Sequence, residues 1–383
     1  MKNVLLLTME MIPSAILCGR VPLTVLADRG EIDFRWLCPD DVRTADLEWA
    51  DVLVFVRSDD AMSLRVAKVA RRAGKYNIYV MDDDLLNIPE GLASSEHYRR
   101  QETKTLIRQI MGECACFLTP SRNLLRKYGP EFGRAERIEE PAAARPAARE
   151  RREGPVRIGF AGSMDRTGDV EAILSGALRR VLQEYPGRVT AEFFGARPAL
   201  ADELTLLHIP YRKSYEEYVG TMETLQWDFA LAPMPDTAFH RCKHYNKYIE
   251  YASYGIPGIY SDVEPYRWAV RDGENGLLCP NTEEAWYGAM KRLIEDPALR
   301  EELSRAALSE AETIYSPESA AEPWSRVISA VDAARSREKS VRYFNLVRLW
   351  EKIAHVFWKI GQYKWKTPYY VARKLWRMVS GKR

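Results

Sequence analysis

Two lysines and one glutamate recur at helical spacing in the second half of the chain. Lys243, Lys247 and Glu250 are separated by four and three residues, so one helix through this stretch would place them on a single face. The stretch follows an apolar run ending at Pro233 and stops at Gly255, which is typical of a helix end. A helix N-terminus with nearby cations can bind a pyrophosphate, and a carboxylate further along can hold a ribose diol. The alternative is an ordinary solvated stripe of charge.

A glycine-containing turn is the second candidate. It follows the apolar run that begins at Val156, where Gly162 and Ser163 permit close approach to the backbone and Arg166 can reach a phosphate. The competing interpretation is a plain strand-to-helix turn with Asp169 as the helix cap. The turn is neither a Gly-x-Gly-x-x-Gly signature nor a Walker A sequence.

Short apolar runs alternate with helical patterns and predict two parallel sheets wrapped by helices. The strand candidates are Val4–Leu7, Phe34–Leu37, Val52–Val56, Ile78–Met81 and Cys116–Leu118, then Val156–Ala161, Thr190–Phe194, Leu207–Pro210, Phe229–Ala232 and Gly258–Tyr260. Between the two series, the composition turns to Pro, Ala and charge, as in an inter-domain linker. We predict an α/β chain with two Rossmann-like domains, residues 1–137 and 156–334, joined by a linker at 138–155. Their facing strand ends would form a ligand cleft.

The remaining composition narrows the possible classes. The length of 383 residues suits two domains and an appendage. The six cysteines have no zinc-site spacing, no apolar run is long enough to span a bilayer, and the N-terminus does not resemble a signal peptide. We therefore expect a cytoplasmic protein without a metal site.

Three segments together resemble the retaining GT-B glycosyltransferases of family 4, also called group 1. They are residues 157–163, 247–257 and 272–278, and the resemblance extends from about Val156 to Ile328. It implies that the C-terminal domain binds a nucleotide diphospho-sugar, the donor. By this resemblance Gly162 and Ser163 lie in the donor loop, Tyr211 lies at the base, and Glu250 binds the ribose.

The sequence departs from the family pattern at one position. The pattern has two glutamates eight positions apart, the first near the donor sugar, and that first position is Cys242 here. The resemblance therefore supports ribose binding by Glu250, while Lys243 is expected to take part of the anionic donor contact. Lys243, Arg166 and a helix N-terminus would neutralise the leaving diphosphate without metal.

Asp82–Asp84 follow a predicted strand and should face the cleft. Asp-x-Asp holds a metal in a different, single-domain glycosyltransferase fold, and a helix-capping turn is the other alternative. We expect an acceptor-side role, with Asp83 and His97 joining Lys243 as candidate catalytic residues.

The last segment, residues 335–383, is strongly basic and aromatic. It carries a net charge of +12 beside a body of net −10, and its apolar residues recur from Tyr343 at helical spacing. This pattern favours a basic amphipathic helical tail on an anionic membrane surface. The predicted membrane-binding residues are Trp350, Phe357, Trp358, Trp365, Trp376, Lys352, Lys359, Arg373 and Lys374. One alternative is that the stripe packs on the body. Another is that aromatic residues among basic ones bind single-stranded nucleic acid, but the acidic charge of the body argues against this.

These features predict a glycosyltransferase that moves a sugar, a hexosyl group, from a nucleotide diphospho-sugar to a membrane-proximal or cell-surface glycan acceptor. The resemblance implies retention of configuration. We expect no cofactor, and peripheral attachment to the inner face of the membrane, as in polysaccharide biosynthesis. A GT-B nucleotide-sugar epimerase, which needs several cleft carboxylates and no acceptor, is one alternative. A non-catalytic nucleotide-sugar-binding protein is another, because of Cys242.

Overall fold

A computed structural model of the chain describes residues 1–92, 95–142 and 154–332, together with Ser340, Tyr343 and Ile353. Within these residues the chain forms two six-stranded sheets, one from each half. Every strand pairing in both sheets is parallel. Parallel strands of this kind are buried on both faces, which explains why they appear in the sequence as continuous apolar runs.

The N-terminal sheet has the order β2-β1-β3-β4-β5-β6. Its strands are β1 (Lys2–Leu7), β2 (Ile32–Leu37), β3 (Val52–Val56), β4 (Tyr76–Val80), β5 (Cys116–Thr119) and β6 (Arg134–Arg137). Its helices are α1 (Pro13–Ala15), continued by a π-helical turn (Ile16–Arg20) and α2 (Val21–Asp28), then α3 (Thr44–Trp49), α4 (Ala61–Arg72), α5 (Ser95–Arg99), α6 (Gln101–Gly112) and α7 (Arg122–Tyr128).

The C-terminal sheet has the order β12-β11-β10-β7-β8-β9, the arrangement of a dinucleotide-binding fold. Its strands are β7 (Val156–Gly162), β8 (Val189–Gly195), β9 (Leu207–Ile209), β10 (Phe229–Ala232), β11 (Gly258–Ser261) and β12 (Leu277–Cys279). Its helices are α8 (Thr167–Glu184), α9 (Ala199–Glu203), α10 (Tyr215–Thr224), α11 (Ala238–Arg241), α12 (Asn246–Ser253), α13 (Glu283–Glu295), α14 (Pro297–Thr313) and α15 (Pro317–Ser329).

The helix α15 returns to the N-terminal half. Its Trp324, Val327 and Ile328 are buried in the same apolar cluster as Val4 and Val54 of the N-terminal sheet. The aliphatic faces of α15 and α2 pack directly on each other. Although it follows the C-terminal sheet in sequence, α15 therefore packs as part of the N-terminal half.

Tyr343 gives the one described contact of the predicted apolar stripe of the tail. It is half-buried against the N-terminal core cluster that contains Leu53 and Phe117. This contact agrees, at that residue, with the alternative in which the stripe packs on the body. The predicted membrane-binding residues lie outside the described part of the chain, as do residues 143–153 of the predicted linker.

The predicted fold class, two doubly wound α/β domains, is confirmed. The predicted strands Val52–Val56 and Phe229–Ala232 coincide with β3 and β10. Two edge strands were not predicted. The strand β6 is Arg-Ala-Glu-Arg, without an apolar run, and β12 is only three residues long. An edge strand has one neighbour and needs less apolar sequence than a central strand.

In each sheet the strand order reverses beside the first strand. The reversal lies between β1 and β3 in the N-terminal sheet and between β7 and β10 in the C-terminal sheet. Connections on either side of such a point diverge and leave a crevice beyond the carboxyl ends of the strands. The residues after β4, β7 and β10 meet in one cleft.

Candidate active site

The cleft between the two sheets has a volume of about 350 Å³. Two predicted acceptor-side residues, Asp82 and Asp83, line it. So do all seven predicted donor-binding residues: Gly162, Ser163, Arg166, Tyr211, Lys243, Lys247 and Glu250. The structure thus brings together nine residues that span more than 160 positions of the sequence. Their individual roles remain predictions.

The turn after β7 is tight because two strand ends come close together. The carbonyl oxygen of Gly162 accepts a hydrogen bond from the Ala196 amide at 2.9 Å. Gly195 has φ +88°, and a Cβ at that position would lie 2.0 Å from the Gly162 oxygen. Only glycine fits there. Just beyond the turn, Arg166 donates to the Pro233 carbonyl at 2.5 Å, and its guanidinium also faces the cleft.

Lys247 and Glu250 form an ion pair on the first turns of α12. The ammonium of Lys247 lies 2.7 Å from Glu250 Oε2 and 3.1 Å from the Tyr218 hydroxyl. Tyr218 also donates a hydrogen bond to Glu250 Oε1. Burial, followed by the Glu250 charge, raises the pKa of Tyr218 well above its usual value, so the phenol keeps its proton for this bond.

The predicted common helix face requires one correction. The helix α12 begins at Asn246, so Lys243 is not on it and lies in the connection after α11. Its ammonium reaches across the cleft to Asp83 Oδ1 of the other sheet, at 2.8 Å. The side chains of Lys243 and Asp83 are 22% and 25% exposed, so the ion pair is still accessible to a ligand.

Asp83 is strongly held in its charged form. Burial by itself would raise the pKa of Asp83, but the cations Lys243 and Arg57 outweigh it and the pKa lies below its usual range. Arg57 Nη1 lies 3.7 Å from Asp83 Oδ2 and 3.2 Å from Asp82 Oδ1. Arg57 has φ +50°, a strained conformation that such functional regions often carry.

The three consecutive aspartates have three different surroundings. Asp82 bonds Arg57 and the Ser14 hydroxyl, whereas Asp84 is buried and bonds Lys127 at 2.6 Å and the Tyr128 hydroxyl at 2.6 Å. Asp84 therefore belongs to the interior of the N-terminal half. No group of His, Cys, Asp and Glu able to hold a metal occurs among the residues that the structure describes. Metal independence remains a prediction.

His97 does not line the cleft. It lies on α5, half-exposed, with Nε2 2.8 Å from Asp59 Oδ2. Its neighbour Tyr98 packs beside the Arg57 guanidinium, so His97 lies behind the carboxylates rather than among them. The predicted catalytic set is thus divided, with Lys243 and Asp83 in the cleft and His97 outside it.

Cys242 also points away from the cleft. With Phe239 it is buried in the apolar cluster of the N-terminal half. Burial raises the pKa of the Cys242 thiol to about 11. The carbonyl of the adjacent Arg241 accepts a hydrogen bond from Asn123 at 2.7 Å. The position at which the family pattern has a glutamate therefore serves as a docking point between the halves.

Two cleft residues were missed by the sequence reasoning. Glu140 lies just after β6 at the start of the predicted linker, and His244 lies between the two cleft lysines. Both side chains are 2% exposed. The Glu-Glu-Pro sequence at 139–141 was interpreted as exposed linker because it lacks large apolar residues. Only the apolar residue Ile138 before it, which is fully buried in the structure, indicates that this part of the chain still lies in the protein interior.

Tyr211 lies at the outer rim of the cleft, half-exposed, beside Arg212 and Lys213.

None of the described helices combines the length and apolar composition that crossing a bilayer requires.

Residues 247–310 match the family model "Glycosyl transferases group 1". This segment begins at Lys247 and contains Glu250. No curated protein matches the chain by sequence.

Solved structures share the architecture at low identity. HepE from Anabaena in complex with UDP-glucose is 14% identical with a TM-score of 0.60, covering 86% of this chain and all of its own. Sucrose-phosphate synthase from Thermosynechococcus elongatus is 14% identical with a TM-score of 0.60, covering 87% of this chain and all of its own. A putative UDP-N-acetylglucosamine 2-epimerase from Listeria monocytogenes is 11% identical with a TM-score of 0.52, covering 87% of this chain and 96% of its own.

Likeness at such identities shows the fold, which is GT-B. Together with the matched segment, this fold defines the class of protein: a glycosyltransferase. The matched segment is similar to group 1 in particular, which confirms the resemblance seen in the sequence. Retention of configuration is a separate matter and remains a prediction.

Proposed function

We propose that the chain transfers a sugar, a hexosyl group, from a nucleotide diphospho-sugar to a glycan acceptor at a membrane surface, with retention of configuration. The observation that carries the donor half of this proposal is the cleft itself. It joins a group 1 segment bearing Lys247 and Glu250 to two further cations, Lys243 and Arg166. The similar HepE structures contain UDP, UDP with glucose, and UDP-glucose, so uridine nucleotides are the first donors to test.

The ribose is assigned to Glu250. Its carboxylate accepts a hydrogen bond from the Tyr218 hydroxyl and pairs with the Lys247 ammonium. The two hydroxyls of a ribose can replace these donors on the same oxygens. The Lys247 ammonium, released from Glu250, would then be available to a phosphate one turn nearer the start of α12.

The departing diphosphate is assigned to Lys243, Lys247 and Arg166. Negative charge grows on the leaving oxygen in the transition state, and fixed cations there stabilise that state more than the ground state. All three side chains are only about one-fifth to one-quarter exposed, so their fields are weakly screened. On this proposal the chain's own cations replace a divalent metal.

The acceptor is assigned to the N-terminal side of the cleft. Asp82 and Asp83 project there from the end of β4, and Pro13 and Leu17 form the adjacent wall. We leave His97 out of the catalytic assignment because it faces Asp59 outside the cleft. The basic tail, outside the described residues, would hold the enzyme at the inner face of the membrane, near a lipid-linked or cell-surface glycan under assembly.

A donor screen tests this proposal. The full chain is incubated with UDP- and GDP-linked sugars, and release of the nucleoside diphosphate is followed with and without a lipid-linked glycan mixture. We expect one donor to be consumed slowly alone and faster with acceptor. Binding of every donor without any turnover would instead identify a non-catalytic binding protein.

A nucleotide-sugar epimerase is the second candidate. Asp82, Asp83 and Glu140 put three carboxylates on the cleft wall, as an epimerase would need, and the putative 2-epimerase from Listeria monocytogenes shares the fold. The same incubations separate the two candidates. An epimerase converts the donor to its epimer without acceptor, and the glycan mixture does not change the rate.

A further inference from the structure

We propose that Glu140 is a specificity-determining residue that hydrogen-bonds a hydroxyl of the donor sugar. This inference rests on the proposed function and names a sub-site within it. Glu140 lines the cleft, its side chain is 2% exposed, and its Oε2 accepts no hydrogen bond from any described residue. A buried polar atom without a partner is costly, so such an atom beside a ligand cleft points to a partner on the ligand.

The other three carboxylates of the cleft wall differ from Glu140. Asp82 is paired with Arg57, Asp83 with Lys243, and Glu250 with Lys247, at 3.2, 2.8 and 2.7 Å. Glu140 has no lysine or arginine within that range among the described residues. Its Oε1 accepts only from the Cys18 thiol, at 3.2 Å. It is the cleft carboxyl whose hydrogen-bonding capacity is not already used by a cation.

The imidazole of His244 lies beside the unpartnered oxygen without bonding it. His244 Nδ1 is 3.9 Å from Glu140 Oε2 and is bonded to Asn246 Oδ1 at 2.7 Å. On its other side, His244 Nε2 is 3.4 Å from Glu139 Oε2. The Nδ1 atom is therefore used by Asn246, and the ring lies beside the Glu140 carboxyl without satisfying its Oε2.

A neutral hydroxyl is the ligand group that fits this oxygen. Asp82 and Asp83 act on this carboxyl as like charges, so a phosphate bound to it would add a further repulsive charge. Burial, with these aspartates, raises the pKa of Glu140 to about 7, which allows the carboxyl both to accept and to donate a hydrogen bond. Sugar hydroxyls do both as well.

The residues next to Glu140 indicate that the hydroxyl belongs to the donor sugar rather than to the acceptor. His244, which contacts the carboxyl, lies in the chain between Lys243 and Lys247, the two lysines assigned to the diphosphate. A group at Glu140 is therefore adjacent to the diphosphate. The part of the donor attached directly to the diphosphate is its sugar.

The test measures the affinity that the sugar adds to the nucleotide. Dissociation constants for UDP, GDP and their glucose, galactose, mannose and N-acetylglucosamine conjugates are measured by calorimetry on the wild-type chain. The best pair is then measured on Glu140→Ala and Glu140→Met. Glu136→Gln is the matched control, a carboxylate on β6, paired with Arg134 and outside the cleft lining.

We expect Glu140→Ala to reduce the affinity ratio of conjugate to nucleotide about threefold to tenfold, the usual effect of one neutral hydrogen bond, with nucleotide affinity unchanged. Glu136→Gln should keep the wild-type ratio. A deoxy-sugar donor lacking the recognised hydroxyl should bind the wild type and Glu140→Ala equally. If Glu140→Ala does not fold, the ratio of Glu140→Met, whose side chain makes no comparable hydrogen bond, is used instead, and it too should fall.

The contrary outcomes are distinct. A wild-type ratio retained in Glu140→Ala, or in Glu140→Met where that variant is used, would overturn the inference and leave the proposed function intact. The inference would also be overturned, with the proposed function intact, if the wild-type chain bound no sugar conjugate more tightly than the free nucleotide. A wild type that binds neither nucleotides nor conjugates would overturn the proposed function itself.

Discussion

Lys243 Nζ lies 2.8 Å from Asp83 Oδ1, and this ion pair joins the two sheets across the cleft. A diphosphate and Asp83 would compete for the same ammonium. Asp83→Asn removes the competing charge, so we predict tighter binding of the nucleoside diphosphate, by about threefold to tenfold for a partly exposed pair. Turnover should fall at the same time if Asp83 contacts the acceptor.

The two effects of Asp83→Asn are separated by measuring UDP affinity by calorimetry and kcat with saturating donor. Lys243→Ala is the complementary change and should weaken nucleotide binding. Weaker binding in Asp83→Asn would mean that Asp83 positions Lys243 for the ligand rather than competing with it.

Glu250→Ala should weaken binding of both the nucleotide and the nucleotide sugar. A carboxylate that holds two ribose hydroxyls contributes on the order of 1.5–3 kcal/mol, or about tenfold to a hundredfold in Kd. Tyr218→Phe is a useful companion variant, because it removes the hydroxyl that donates a hydrogen bond to Glu250 but keeps the carboxylate. An unchanged nucleotide affinity in a Glu250→Ala protein of normal melting temperature would exclude Glu250 from the site.

Glu140 should also make folding stability depend on pH. Its pKa is raised to about 7 by burial, helped by Asp82 and Asp83 and opposed by His244 and Cys18. Between the unfolded value near 4.5 and about 7, the folded state binds more protons, so the free energy of unfolding falls as pH rises. Glu140→Gln has no ionisable group at this position, so its free energy of unfolding should not show this fall. In the wild type the fall is about 3 kcal/mol at most for such a shift of the pKa.

The measurement is urea unfolding of wild type and Glu140→Gln from pH 5 to 8. The stability difference should move in favour of Glu140→Gln as pH rises and become constant above about pH 7. A difference that is independent of pH would mean that Glu140 keeps an ordinary pKa in the folded protein.

Transfer should survive chelation of divalent ions. Lys243, Lys247 and Arg166 already place three cations in the cleft, and they are assigned to the departing diphosphate. The rate is compared before and after EDTA, and again with excess Mn²⁺ or Mg²⁺. Activity lost to EDTA and restored by Mn²⁺ would identify Asp82 and Asp83 as metal ligands instead.

Much of the fold could be predicted from the sequence because parallel strands covered on both faces need continuous apolar runs. Val52–Val56 has this character and is observed as β3. The strand β6, Arg134–Arg137, lacks it because an edge strand is held mainly by backbone hydrogen bonds to one neighbour.

The site was predictable where local spacing defines it. Lys247 and Glu250 are three residues apart, and a helix brings them together whatever else surrounds them. Glu140 was not predictable, because its burial depends on Cys18 and His244, which are over a hundred residues away in either direction. The direction of Cys242 was equally hidden, since it follows from docking of one half on the other.

The contact of Tyr343 with the body means that the basic tail is tested with two truncations rather than one. Tyr343 packs against the N-terminal core, so deleting residues 336–383 removes that contact as well as the basic segment. Deleting 345–383 keeps it and still removes ten basic residues against one acidic residue. We predict that the shorter deletion keeps the full melting temperature, that the longer one lowers it slightly, and that both abolish pelleting with anionic liposomes.

The reason is that each Lys or Arg near an anionic surface contributes about 1 kcal/mol, within a Debye length. Aromatic side chains add burial at the headgroups, which salt does not screen. Pelleting of the full chain should therefore weaken, but not vanish, between low and high salt, and neutral liposomes should bind less. The assay is co-sedimentation of the full chain and both truncated forms. Equal pelleting of all three would reject the membrane tail, and unfolding of the 345–383 deletion would show that the aromatic stripe beyond Tyr343 belongs to the core.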